Sequence, residues 1–131
     1  MKLHSDLSDS SLRITAYDAD SVTLGERKIT STFVLTPQVL FVDLPPLTVQ
    51  QLSWKALGEL HDLELEVLLV GTGSRQQFAD GAFYVELSRR RIGLEVMTSA
   101  AACRTFNILA AERRQVAALI TFDQSEAPAA K

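Results

Sequence analysis

The chain has 131 residues, 47% hydrophobic and 22% charged, which is the size and composition of one ordinary globular domain with a real core. A net charge of −3 argues against nucleic acid as an obligatory partner, since phosphate binding needs a clustered basic surface. A single cysteine, Cys103, excludes an internal disulfide and a cysteine-based metal cluster.

Residues 1–11 and 124–131 are polar and short of core residues, and both read as frayed tails around one domain spanning residues 12–122. The first residues have neither the apolar core of a secretory signal nor the Arg-rich look of a transit peptide. No apolar stretch approaches the roughly 20 residues that span a bilayer. The expectation is a cytoplasmic protein without membrane insertion.

Ile14 to Tyr17 reads as a short strand, followed by Asp18-Ala19-Asp20-Ser21 of turn composition. Ser21 to Leu24, Gly25-Glu26-Arg27 and Lys28 to Leu35 form a β-hairpin pattern, with Ile29, Ser31, Phe33 and Leu35 on one face of its second arm. Pro37 ends that arm, and Val39 to Val42 is a further apolar run. Thr48-x-x-Gln51 has capping-box form, and Leu52, Ala56, Leu57 and Leu60 recur at helical spacing, which predicts a helix over residues 49–61. Trp54 belongs in or near the core of that segment.

Leu63 to Val70 becomes continuously apolar, the mark of a strand buried on both faces. Ala82 to Arg91 reads as helix, Leu94 to Met97 as a short strand, and Thr98 or Ser99 as the cap of a helix running to about Arg113. Gln115 to Phe122 is a final strand. Strand and helix alternating after residue 60 imply parallel pairing there, while the first part is antiparallel. An α/β domain with an additional N-terminal β-hairpin follows.

Two strand ends are the candidate site: Gly71-Thr72-Gly73-Ser74, and Met97-Thr98-Ser99 leading into a helix that carries Cys103, Arg104 and Asn107. In an open α/β sheet, ligands bind outside the carboxyl ends of parallel strands, where helix N-termini also converge. The glycine pair lacks the Lys-Ser/Thr of one phosphate loop and the third glycine of the other, so it is no nucleotide signature. Backbone N–H groups there could still hold a carboxylate or phosphate. A helical wheel puts Ala101, Ala102, Thr105, Ile108 and Leu109 toward the sheet, with Ala100, Arg104, Asn107 and Ala111 opposite. That second face is either a docking surface or an ordinary solvated one. Cys103 sits beyond the first helical turn with no histidine in a supporting motif, and reads as a buried, inert thiol. Residues 75–114 hold seven Arg against four Asp/Glu, whereas residues 1–74 hold five Lys/Arg against ten Asp/Glu; solvated helix faces account for this asymmetry.

These motifs, together with Ala102-Cys103-Arg104-Thr105-Phe106-Asn107 and the following Leu109, Glu112, Arg114 and Val116-Ala117-Ala118, resemble a family long filed as a domain of unknown function. It includes mitochondrial NADH:ubiquinone oxidoreductase complex assembly factor 3 and an adipogenesis-associated domain-containing protein. The resemblance implies a three-layer fold around a central mixed five-stranded sheet, with no established reaction. Ser99 stands where the family pattern has threonine, and Arg113 where glycine is frequent. The mitochondrial relatives act as assembly factors on the inner membrane.

Two readings follow. In the first, a non-enzymatic binding or assembly protein docks an unidentified protein partner through the Arg104/Asn107 face and the Gly71–Ser74 loop. In the second, a small-anion binder or enzyme uses the cleft between the two loops, with Cys103 or Ser74 as the reactive group. Association of identical chains through the same face is a third possibility. The sequence asks for no cofactor and no metal, and no residue set amounts to a catalytic signature.

Overall fold

In a computed structural model of the chain, which describes residues 2–4, 12–45 and 47–123, alternating side chains build two hydrophobic layers on one sheet. Strand β7 (Val67–Thr72) sends Leu69 to one side and Leu68 and Val70 to the other. Strand β9 (Val116–Thr121) repeats this, with Val116, Ala118 and Ile120 on the first side and Ala117 and Leu119 on the second. Both strands are apolar up to their closing threonines, Thr72 and Thr121, because both faces are covered.

The central sheet is mixed and five-stranded, ordered β6 (Val39–Phe41), β5 (Phe33–Leu35), β9, β7, β8 (Gly93–Met97). The backbone of β1 (Lys2–His4) adds a short antiparallel strand beyond β6. The remainder of the expected tails, residues 1, 5–11 and 124–131, lies outside the described residues. β7 runs parallel to both β8 and β9, and β5 pairs antiparallel with β9. A second sheet contains β2 (Ala16–Tyr17), β3 (Val22–Leu24) and β4 (Arg27–Ile29). Gly25, at φ +61, opens the two-residue loop of the β3–β4 hairpin, a conformation that glycine adopts freely. The expected second arm is divided: the chain leaves this small sheet after Ile29 and enters the central sheet at Phe33. Ile29 and Phe33 remain in the same buried cluster, so the division preserves the apolar face.

Helices α1 (Gly81–Arg89) and α2 (Ser99–Ala111) lie on opposite faces of the sheet, α1 with Phe83 and Leu87 in one cluster, α2 with Ala102, Cys103 and Phe106 in the other. Opposite faces are what right-handed crossovers require when β7 to β8 moves one way across the sheet and β8 to β9 moves back. The small sheet shares the α2 layer, since Ile14, Val22, Leu24 and Ile29 pack in the same cluster.

Residues 49–61 correct the expected α-helix. They form two 3₁₀ segments, Val49–Gln51 and Lys55–Leu60, with Leu57 out of helical geometry at φ −103, ψ 50. The buried side chains Trp54, Leu57 and Leu60 recur every three residues, the 3₁₀ period, which brings all three onto one face. Trp54 is held there by His61, stacked at 4.7 Å between ring centroids, and by the Arg90 guanidinium 5.2 Å from its ring centre.

Both α-helices end alike. The N–H of Ile92 reaches the Leu87 carbonyl and that of Arg114 the Leu109 carbonyl, each bond closing a left-handed turn. The residues in those turns are Arg91 (φ 60) and Arg113 (φ 63), where glycine is the usual occupant.

Candidate functional site

Parallel register places the carboxyl ends of three strands side by side: Gly71 is opposite Met97 on one flank and Ile120 on the other, and Thr72 is opposite Thr121. The connections leaving β7 and β8 go to opposite faces, so this edge is the switch point at which open α/β sheets form clefts. The two sequence-marked loops are therefore neighbours, joined by a third strand end that the sequence reading passed over.

Ser99 is the hub. Its Oγ accepts from the Gly73 N–H at 2.8 Å and donates to the Thr121 carbonyl at 2.7 Å, while its N–H donates to the Gly73 carbonyl at 2.9 Å. One hydroxyl thus ties the ends of β7, α2 and β9 together. Of the two residues read as the cap, Thr98 takes the role, its Oγ1 accepting from the Ala101 N–H at 3.3 Å. Gly71 makes the close approach possible: a Cβ there would meet the Ser99 Cα at 2.8 Å and its Oγ at 2.7 Å. Gly73 adopts φ +94, and a Cβ on it would collide with the Asp123 carboxylate.

Asp123 itself closes the loop. Its Oδ2 accepts from the Ser74 Oγ at 2.5 Å and its Oδ1 from the Ser74 N–H at 2.9 Å. These bonds, the hydroxyl first, hold its pKa below the ordinary carboxylate value, with help from the nearby Arg75 charge. Thr121 Oγ1 donates to the Gly71 carbonyl at 2.6 Å, completing the seam. Thr72 turns the following loop by donating to the Arg75 carbonyl at 2.7 Å and accepting from the Gln77 N–H.

The seam divides two clefts. One, of about 360 Å³, is bordered by Thr48, Gln50, Thr72, Ser74, Arg75, Gln77 and Asp123. The other, of about 320 Å³, is bordered by Tyr17, Asp18, Gly73, Ser74, Thr98, Ser99, Ala100, Cys103 and Phe122. Asp18 is held below the ordinary carboxylate range by the Asp20 N–H and the Ser21 hydroxyl.

The remaining marked residues divide differently. Met97 is half-buried, with its sulfur accepting from Thr105 Oγ1 at 3.6 Å. Cys103 borders the second cleft but is only 1% exposed, and burial pushes its thiol up to about 11 against the lowering effect of Arg104. Arg104 does not reach the Gly71 loop; it donates to the Tyr17 hydroxyl at 3.2 Å. Asn107 clamps the small sheet's entry, accepting from the Ile14 N–H at 3.0 Å and donating to the Ile14 carbonyl at 2.8 Å. The polar face of α2 thus fixes the small sheet. The expected apolar stripe is also rotated: Ala102, Cys103 and Phe106 face the sheet, and Ile108 is 59% exposed. Both stripes have helical spacing, and the layer beneath takes Phe106 and leaves Ile108 outside.

Asp123, Thr121 and Phe122 are the residues that sequence reasoning missed. The available signal was topological, since a last strand parallel to β7 must end at the same edge. Among the described residues, no group of three or more His, Cys, Asp or Glu is placed to hold a metal ion. No helix there is long and apolar enough to cross a membrane.

The sequence pattern of a family described as "Protein of unknown function (DUF498/DUF598)" matches residues 14–121. Over 86 residues the chain is 36% identical to NADH dehydrogenase (ubiquinone) 1 alpha subcomplex assembly factor 3 of Danio rerio, covering 59% of this chain and 49% of that protein. The Xenopus tropicalis protein of the same name is 34% identical over 73 residues, 54% of this chain and 40% of its own length. The chain therefore spans at most about half the length of these curated relatives. A Xanthomonas campestris protein solved by NMR is similar with a TM-score of 0.78 at 35% identity, covering 86% of both chains. A crystal structure from Bordetella parapertussis gives 0.79 at 28% identity, covering 89% of this chain and 100% of the other. A Bordetella pertussis protein described as a Mth938-like domain gives 0.70 at 26% identity, covering 96% of both.

Proposed function

From the premise that this chain belongs to the DUF498/DUF598 family of proteins of unknown function, we propose that it is a non-enzymatic, assembly-factor-type binding protein acting on a multisubunit NADH dehydrogenase. The names of the Danio and Xenopus relatives support the assembly role. One observation supports binding over catalysis. The Ser74 N–H and hydroxyl, the donors most suited to an anion at the strand ends, are already taken by the chain's own Asp123 carboxylate.

The candidate reactive groups point the same way. Ser74 is bonded to a carboxylate made less basic than usual, a poor base for activating a hydroxyl. Cys103 stays protonated at neutral pH, so it offers little of the thiolate that reacts. Partners would dock across the clefts that flank the Ser74–Asp123 seam, the Arg104 and Asn107 face serving to hold the small sheet beside them.

The test is deletion of the gene in its native host, with the assembled NADH dehydrogenase measured on native gels and complementation by the intact chain. A lowered yield of complete complex, restored by the gene, is expected. Unchanged assembly sinks the proposal, and turnover of a small molecule lost on Ser74→Ala would promote the enzyme reading instead.

A further inference from the structure

At the edge opposite β1, strand β8 ends the central sheet, with one side paired to β7 and no strand on the other among the described residues. The N–H of Gly93 donates to the Glu66 carbonyl, so Gly93, Glu95 and Met97 turn their backbone groups toward β7. By the alternation of a parallel ladder, Leu94 and Val96 turn theirs outward. The Val96 carbonyl confirms this direction, because it is capped from outside by the Gln76 side chain at 3.1 Å.

The flanks of this edge are apolar. Leu94 and Val96 are half-buried on the α1 side, where Leu94 shares a shallow hollow with the exposed Tyr84. On the α2 side, the Thr105–Met97 contact fixes which flank of α2 faces β8, and Ile108 follows three residues along that flank. Glu95 stands exposed between them.

We propose that the open edge of β8 receives an extended segment of another protein as an added strand, with a basic residue opposite Glu95 and apolar residues on either side. Outward donors and acceptors at strand spacing are matched only by an extended backbone. Charge selects the occupant. A second copy engaging both Leu94 and Val96 would centre the pairing on Glu95 and set the two carboxylates directly opposite each other, an unfavourable pair. A foreign strand carrying lysine or arginine there turns the same position into an attraction. The inference rests on the binding reading only in taking a protein as the partner, and its test uses the purified chain. Unchanged dehydrogenase assembly in a deletion strain therefore leaves it standing.

The probe is a capped peptide with a central lysine flanked by valines, compared with the same peptide carrying glutamate at the centre. NMR follows the backbone amides of the intact chain, titrated into the millimolar range. Expected are selective shifts and exchange protection at Leu94 and Val96, with the lysine peptide binding several-fold more tightly. Glu95→Lys should reverse that order without touching the core. Gln76→Ala should strengthen binding by freeing the Val96 carbonyl. Leu94→Pro removes an outward N–H that β7 does not use, and should weaken binding roughly tenfold. The proposal is overturned if the Leu94 and Val96 amides stay unperturbed, or if the two peptides bind alike and Glu95→Lys changes nothing. Concentration-dependent protection of the same amides in the free chain would assign the edge to a second copy and overturn it equally.

Discussion

Ser74 and Asp123 bind each other twice, hydroxyl to Oδ2 at 2.5 Å and N–H to Oδ1 at 2.9 Å, and so fasten the loop after β7 to the residues after β9. The pairing fixes how the seam responds to acid. The folded-state pKa of Asp123 lies below the ordinary 3.8, so its contribution is present above that value and is lost as pH falls through the folded pKa. Because the pair is exposed, the effect should stay under about 1 kcal/mol. Asp123→Asn should lower the melting temperature slightly at neutral pH, and the gap to the native chain should close in strong acid. A gap that does not change with pH would show the carboxylate to be irrelevant to the seam.

Gly71→Ala tests the close approach of β7 and α2. The added Cβ meets the Ser99 backbone at 2.8 Å, which side-chain rotation cannot relieve. A loss of about 1–3 kcal/mol is expected, read from urea unfolding. Unaltered stability would mean that the helix start is free to move.

Arg113→Gly should stabilise the chain by roughly 0.5–1 kcal/mol, because a residue with a Cβ is strained at φ 63 and glycine is not. Arg91→Gly, at φ 60, should behave alike, and the double variant should be nearly additive in thermal unfolding.

Asn107→Ala should cost about 1–3 kcal/mol by leaving both Ile14 backbone groups without their partner, and should loosen residues 14–29 in hydrogen exchange. Arg104→Ala removes only an exposed bond to Tyr17 and should change stability far less. Equal effects of the two would refute the division of labour drawn for the polar face of α2.

Cys103 should react with iodoacetamide much more slowly than a free model thiol near neutral pH, since burial holds its pKa at about 11. Cys103→Ala should cost on the order of 1 kcal/mol in packing and leave partner binding intact. Fast alkylation of the native chain would revive the reactive-thiol reading.

Much of the architecture was legible in the residues. Val67 to Val70 and Val116 to Ile120 announce doubly buried strands, and Thr98 announces the start of α2. What stayed hidden depends on distant partners. Helical spacing alone could not choose between Ile108 and Phe106 as the sheet-facing residue, because the choice is made by the layer beneath. The 3₁₀ geometry around Leu57 was masked by apolar residues that fit either period. Asp123 lies just outside the last apolar run, and only the register of β9 against β7 reveals that it meets Ser74.

The position of β9 also governs how the molecule can form. It alone pairs with β5 on one side and β7 on the other, so it bridges the antiparallel and parallel halves of the sheet. During synthesis, neither half can be completed until residues 116–121 have left the ribosome, and the apolar flanks of β5 and β7 stay uncovered until then. The chain should accordingly fold in one late step, slowed by its long-range contacts and exposed to misassociation while it waits.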